Sequence, residues 1–209
     1  MNLQKELENM LDCVRHEAEV PPLVLHVCCA PCAGYVLEYL SPHFAITICW
    51  YNPNIYPESE HALRFDALSR MLEQMSFENP VELVRLPYEP DIFRGAVRGL
   101  ELEPEGGNRC ETCFRMRLER AAALAAHRGV RYFATTLSVG PRKNAALLHE
   151  ISIALAKKYN ITALPCDFKK RGGYARSIAI SRELEIYRQN YCGCSYSIIN
   201  GDSLAAPVD

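Results

Sequence analysis

The sequence predicts an α/β fold, a parallel sheet with flanking helices, and three observations carry it. Short apolar runs of buried-strand type, L-V-L-H-V at 23–27 and F-A-I-T-I-C-W at 44–50, alternate with longer segments whose apolar residues recur at helical spacing. Residues suited to turns or chemistry follow the strands directly, among them Cys28-Cys29 and Asn52-Pro53-Asn54. No internal repeat or low-complexity tract interrupts the alternation.

The elements follow in order. Leu3, Leu7, Met10, Leu11 and Val14 give the first twenty residues a helical stripe, which Pro21-Pro22 stops, so residues 1–21 read as a helical extension. Residues 23–27 form the first strand, 34–40 a helix and 44–50 the second strand. Leu63, Leu68, Met71, Leu72 and Met75 support a helix over 59–75, and 81–86 is a third strand. The loop 101–108, with Pro104 and Gly106-Gly107, is the one internal seam. A long alanine-rich helix is expected over 109–128, strands over 131–136 and 161–164, and helices over 145–159 and 178–188. Residues 22–197 then make one α/β domain and 198–209 a tail, with ligand sites expected beyond the carboxyl ends of the strands.

A chain of 209 residues with 49% hydrophobic and 23% charged residues has enough apolar content for a core that needs no disulfide or metal. The charged first twenty residues are unlike a secretory signal, and the run 23–30, interrupted by His26, is too short to cross a bilayer. The expectation is a cytoplasmic protein without a membrane partner. Its net charge of −2 hides an asymmetry: residues 1–108 hold 7 basic and 17 acidic groups, and residues 109–209 hold 16 and 8. A basic second half suits contact with a polyanion as well as it suits ordinary solvated helix faces.

Ten cysteines are more than such a core requires. Seven fall in three tight groups: Cys28, Cys29 and Cys32 after the first strand, Cys110 and Cys113 opening the long helix, and Cys192 and Cys194 about Gly193. Cys13, Cys49 and Cys166 are isolated and read as buried small hydrophobes. In a reducing compartment, clustered thiols bind metal or do redox work. A C-x-x-C turn aims two sulfurs at one metal, and two such groups supply enough for structural zinc or an iron–sulfur cluster. The surplus of thiols over four favours an iron–sulfur or multi-metal redox site over zinc. A disulfide within C-x-C would close a small strained ring that is easily reduced. His26, inside a strand, reads as a hydrogen-bonded interior group rather than a ligand. Neither a P-loop, nor G-x-G-x-x-G, nor G-x-S-x-G is present.

Six motifs, H-V-C-C-A-P-C at 26–32, Y-N-P-N-I at 51–55, R-C-E-T-C-F at 109–114, T-T-L-S-V-G-P-R-K-N at 135–144, G-G-Y-A-R-S at 172–177 and Y-C-G-C-S-Y-S at 191–197, closely resemble epoxyqueuosine reductases of the QueH type. The resemblance spans residues 22–197. It implies two-electron reduction of epoxyqueuosine, at the anticodon wobble position of tRNA, to queuosine, the epoxide oxygen leaving as water. It also implies a 4Fe-4S cluster, an additional mononuclear iron in some members, a low-potential electron donor, and a Rossmann-like fold, a parallel sheet with flanking helices similar to that of adenine nucleotide α-hydrolases, with the iron–sulfur site at the carboxyl ends of the strands.

Carried over by position, Cys28, Cys29, Cys110 and Cys113 are the expected cluster ligands. Cys192 and Cys194 are either a redox-active pair or ligands of an adjoining iron, which Cys32 would complete. Cys32, a thiol of the C-x-C pair, or Tyr174 would donate a proton. Asn52, Asn54, Arg142, Lys143, Asn144, Tyr174 and Arg176 are the expected substrate contacts: the basic groups on anticodon phosphates, and Tyr174, Tyr51 or Trp50 stacked on a splayed-out base. Two other readings stand beside this one. One is a zinc-stabilised, non-catalytic RNA-binding module. The other is an iron–sulfur tRNA-thiolating enzyme, although such enzymes usually carry S-G-G-x-D-S where this chain has Cys28-Cys29-Ala30-Pro31-Cys32.

Overall fold

A computed structural model describes residues 2–199. Five parallel strands, β1 (Pro22–His26), β2 (Ala45–Trp50), β3 (Val81–Arg85), β4 (Tyr132–Thr135) and β5 (Thr162–Ala163), lie in the order β3-β2-β1-β4-β5. The register places His26 beside both Cys49 and Thr135, so β1 is central. Every parallel connection needs a crossover, and the helices supply them: α2 (Ala30–Leu40), α3 (Glu58–Gln74), α5 (Asn108–His127) and α6 (Ala145–Tyr159). Two shorter helices, α4 (Pro90–Ala96) and α7 (Gly173–Glu183), and the final turn α8 (Ser195–Ile199) complete the described chain, after the N-terminal α1 (Leu3–Val14).

Strand alternation sorts the apolar side chains into two cores, one on each face of the sheet. Leu23, Leu25, Ile46, Ile48 and Trp50 pack with α2 and α3 on one face. Val24, Cys49 and Phe133 pack with Leu118 and Ala122 of α5 and Leu148 and Ile151 of α6 on the other. Leu7, Leu11 and Val14 of α1 join the first core, so the N-terminal helix is packed against the α/β body.

Three expectations shift. Helix α1 ends at Val14, not at the proline pair, because its apolar stripe ends there and Arg15 to Val20 are exposed. Helix α7 runs five residues earlier than expected, over Gly173–Glu183. Glu185 at φ 50° closes it before the apolar residues Ile186 and Tyr187, which pack against the core from an irregular segment. Helix α4 was not expected; Pro90 at its first turn starts it, and it buries mainly Phe93. The expected tail lies outside the described residues from position 200 onward.

Beyond β1 the chain turns to β2 and β3 on one side, and later to β4 and β5 on the other. The loops after β1 and β4 therefore diverge above the centre of the sheet, leaving a crevice at that switch point.

Candidate metal and redox site

Cys28 and Cys29 leave the end of β1, and Cys29 is the N-cap of α2, with Pro31 in its first turn. Proline suits that position because its missing N–H would have no helical partner. The thiols of Cys28, Cys29 and Cys32 thus gather at a helix N-terminus, whose partial positive charge favours thiolate. Their three sulfurs lie within 4.8 Å of one another. The Cys28 and Cys29 sulfurs are 3.8 Å apart, and the Cys28 N–H donates to Thr136 Oγ1 at 3.2 Å. Hydrogen bonds from Cys29 and Cys32, with the charge of Arg117, hold the Cys28 thiol well below its ordinary pKa. The proton then stays on its neighbours: the bond to Cys28 pushes Cys29 up to about 12, and Cys32 is raised as well.

The second group opens α5. Cys110 Sγ accepts the Gly106 N–H at 3.2 Å, and buried Arg109 fastens the preceding loop through the carbonyls of Glu101 and Glu103 at 2.8 and 2.5 Å. Cys113 is buried against Phe93, Val97 and Cys194. Burial raises Cys110 and pushes Cys113 up to about 11, with Cys192 and Cys194 adding to both shifts. The α5 pair therefore neighbours the C-x-C pair.

That last group sits on a loop pinned from below. Gly193 adopts φ 125°, and its carbonyl accepts the Tyr56 N–H at 2.8 Å. Arg64 donates to the carbonyls of Cys192 and Tyr191 at 3.2 and 3.3 Å while its Nε donates to Glu60 at 2.7 Å. No disulfide joins any of the ten cysteines.

A cavity of about 210 Å³ opens between these loops, with Cys28, Cys32, Cys192, Lys143, Arg117 and Tyr174 on its wall. Lys143 reaches in from the loop after β4, its Nζ donating to Glu105 Oε1 at 3.0 Å and to Cys192 Sγ at 3.1 Å. Burial opposes its charge, but Cys192 and Glu105 more than offset that and raise its pKa.

The structure distributes the expected residues unevenly. Cys32 joins Cys28 and Cys29 rather than the C-x-C pair, because it lies in the same helical turn. Arg142 stands half-exposed at the cavity rim and Tyr174 is 38% exposed on its wall. Asn52 is 1% exposed and donates to Val27 O while accepting from Arg117, so it braces the loop instead of meeting substrate. Asn54 is likewise buried. Asn144 is the N-cap of α6, its Oδ1 taken by the N–H groups of Ala146 and Leu147. Arg176 lies on the outer face of α7, engaged by Glu38 and Glu183, and does not line the cavity.

Trp50 and Tyr51 are core residues, as their ring burial requires: the indole N–H donates to His61, and the Tyr51 hydroxyl donates to Glu89. His26 is fully buried, with Nδ1 3.0 Å from Thr135 Oγ1. Cys49 and Cys166 are buried, whereas Cys13 is exposed on the outer side of α1. Arg64, Glu105 and Arg117 escaped the sequence reading. Arg117 carried one usable signal, its place four residues after Cys113 and so on the same helical face.

The family model described as epoxyqueuosine reductase QueH matches residues 23–200. The chain is 39% identical over 199 residues to the epoxyqueuosine reductase QueH of Streptococcus pyogenes serotype M1, covering 94% of this chain and 78% of that protein. It is 38% identical over 201 residues to that of Staphylococcus epidermidis (94% and 84% covered) and 36% identical over 185 residues to that of Thermotoga maritima (85% and 90%). Among solved structures it is similar to the U34-tRNA thiolase NcsA of Methanococcus maripaludis with its [4Fe-4S] cluster, at 12% identity and a TM-score of 0.49 over 96% of this chain and 71% of that one, a likeness too slight to bear on chemistry. With the cysteine groups in place and the matching span covering the whole sheet, this chain belongs to the epoxyqueuosine reductase QueH family.

Proposed function

We propose that this chain reduces epoxyqueuosine to queuosine in the wobble position of tRNA, at an iron–sulfur centre held by its clustered thiols. The observation that carries this reading is the all-sulfur group Cys28, Cys29 and Cys32 at the switch point of the sheet, in a chain of a family named for that reaction. Removing the epoxide oxygen as water takes two electrons and two protons. The donor set fits such a centre: soft thiol ligands without a histidine or carboxylate among them suit iron–sulfur chemistry. Cys28, Cys29 and Cys32 would hold a 4Fe-4S cluster, leaving Cys110, Cys113, Cys192 and Cys194 for a fourth ligand, an additional mononuclear iron or a redox-active pair. When bound, a cluster supplies electrons singly, drawn from a low-potential donor.

The chain's own residues bind the substrate and handle protons. Arg142, half-exposed at the rim and 3.9 Å from Glu105, would meet an anticodon phosphate, and Tyr174 offers a ring on which an unstacked base can lie. Lys143 holds its ammonium protons on the wall beside Cys192, which adds a proton donor to Cys32, Tyr174 and the C-x-C thiols. No helix among the described residues is long and apolar enough to cross a membrane.

Anaerobically reconstituted protein, incubated with epoxyqueuosine-containing tRNA and a low-potential reductant, is expected to yield queuosine on nucleoside analysis, with iron and sulfide bound. Colourless protein that holds stoichiometric zinc and leaves the nucleoside unchanged would overturn the reading.

A further inference from the structure

Arg117 touches the α5 cysteine group and lines the cavity that Cys28, Cys29, Cys32 and Cys192 also line. It is 2% exposed, and its Nη1 lies 3.8 Å from Cys113 Sγ. Its Nη2 donates to Asn52 Oδ1 at 2.5 Å, and the Asn52 Nδ2 donates to Val27 O at 2.9 Å, one residue before Cys28. A continuous chain of contacts thus runs from the α5 thiol through Arg117 and Asn52 to the β1 loop. The Nε–H is buried without a hydrogen-bond partner among the described residues.

A guanidinium does not deprotonate in a protein, and a buried unpaired charge is costly, so an anion must stand close by. Besides Asn52, its hydrogen-bond partner is the Cys113 sulfur at 3.8 Å, and Cys28, Cys29, Cys32 and Cys192 share the cavity wall that it lines. Sulfur, which gives up its proton when it ligates a metal, is therefore the counter-charge that the fold brings within reach.

We infer that Arg117 is a positioning residue that serves as the buried counter-cation of the thiolate centre, tying the α5 cysteines to the β1 loop and raising the centre's reduction potential. The inference rests on the iron–sulfur reading for its redox part only. Reduction adds negative charge to the centre, and a fixed cation within a few ångströms stabilises the reduced form more than the oxidised one. Lysine at this position keeps the charge but loses the fork that reaches Asn52 and Cys113 together.

The test compares wild type, Arg117→Lys and Arg117→Met in two measurements. In the first, metal-free protein is titrated with Co(II), whose thiolate charge-transfer absorption reports sulfur ligation without an iron–sulfur cluster. Arg117→Met should bind about tenfold more weakly and Arg117→Lys within about threefold of wild type. In the second, the reconstituted cluster is titrated by electron paramagnetic resonance. Arg117→Met should shift to lower potential by a factor of ten in the oxidised-to-reduced ratio, about 59 mV for one electron, with Arg117→Lys closer to wild type. Equal cobalt affinity and equal potential in all three proteins would overturn the inference, as would Lys and Met variants that are impaired alike. If wild type takes up no iron–sulfur cluster, the functional reading fails, while the cobalt series still decides the role of Arg117.

Discussion

The ammonium of Lys143 stands 3.1 Å from the sulfur of Cys192, across 49 residues of chain, with Glu105 closing the other side at 3.0 Å. The loop after β4 and the C-x-C loop therefore meet on the cavity wall through one hydrogen bond from the Lys143 ammonium. If that contact supplies a proton to the departing oxygen, Lys143→Met should lower the rate of epoxide reduction by about 100-fold or more, the range of a lost general acid. Lys143→Arg keeps the charge but cannot give up a proton, so it should be impaired about as much as Lys143→Met. Single-turnover nucleoside analysis reads the outcome, and a Met variant within threefold of wild type would remove Lys143 from the proton path.

Arg64 makes a different kind of join. Its side chain, 2% exposed, spans Glu60 and the carbonyls of Tyr191 and Cys192, while the Tyr187 hydroxyl also reaches Glu60 at 3.0 Å. Helix α3 is thereby the anchor of the whole 187–192 segment. Arg64→Met leaves Glu60, 11% exposed, without its cation and the carbonyls of Tyr191 and Cys192 without their donor, and should cost about 3 kcal/mol in urea unfolding. Amide hydrogen exchange should quicken in residues 187–194 well before the central strands. Uniform acceleration across the sheet would instead mean that Arg64 supports the fold at large.

These two contacts show what sequence alone conveys. The cysteine groups were legible because each is local: a C-x-x-C turn brings its own sulfurs together. Arg64 and Arg117 were not, since their partners lie 128 and 65 residues away and only the folded sheet brings them near. Helix α6 was read to its ends because both are written locally, Asn144 as a side-chain cap and Asn160 at φ 54°. Helix α7 was misplaced because its start is set by tertiary packing at Gly173, which no hydrophobic period records. Asn144 and Arg176 stood within matching motifs but serve a helix cap and surface ion pairs. A motif marks a segment, and the direction of each side chain decides its work.

Acid should unfold the protein through its buried histidines. His61 is 2% exposed, accepts the Trp50 indole N–H at 3.1 Å through Nε2, and stacks on Tyr88 at 4.3 Å between centroids. Burial, then Arg85 and Arg64, bring its pKa down to about 4, and burial with Arg117 brings His26 down to about 3. The unfolded chain binds these protons near pH 6.5, so between there and pH 4 it holds more protons than the folded chain. Stability therefore rises with pH across that window and is lost as pH falls, by roughly 3 kcal/mol for His61 alone. His61→Gln keeps an acceptor for the indole without a titrating group. Its unfolding free energy should fall less steeply from pH 6.5 to 4 than that of wild type, and an identical slope would show that His61 is not a source of the acid loss.

Two adjacent glycines give a paired test of how Tyr174 is positioned. Gly172 caps α7 at φ 78° with open space where a Cβ would stand, whereas a Cβ on Gly173 would lie 2.0 Å from the Phe168 carbonyl oxygen and 2.4 Å from the Tyr35 ring. Gly172→Ala should therefore carry only the cost of the left-handed backbone, about 1 kcal/mol. Gly173→Ala must displace a backbone carbonyl or the start of the helix, and should cost more, near the upper end of the ~1–3 kcal/mol seen for overpacked sites. The two variants also differ in reach: displacing Gly173 moves Tyr174 on the cavity wall, so Gly173→Ala should raise KM for the tRNA substrate while Gly172→Ala leaves it near wild type. Thermal unfolding and steady-state kinetics on both proteins check this. Equal losses in stability would mean that the α7 start tolerates a side chain, and an unchanged KM in Gly173→Ala would detach Tyr174 from substrate binding.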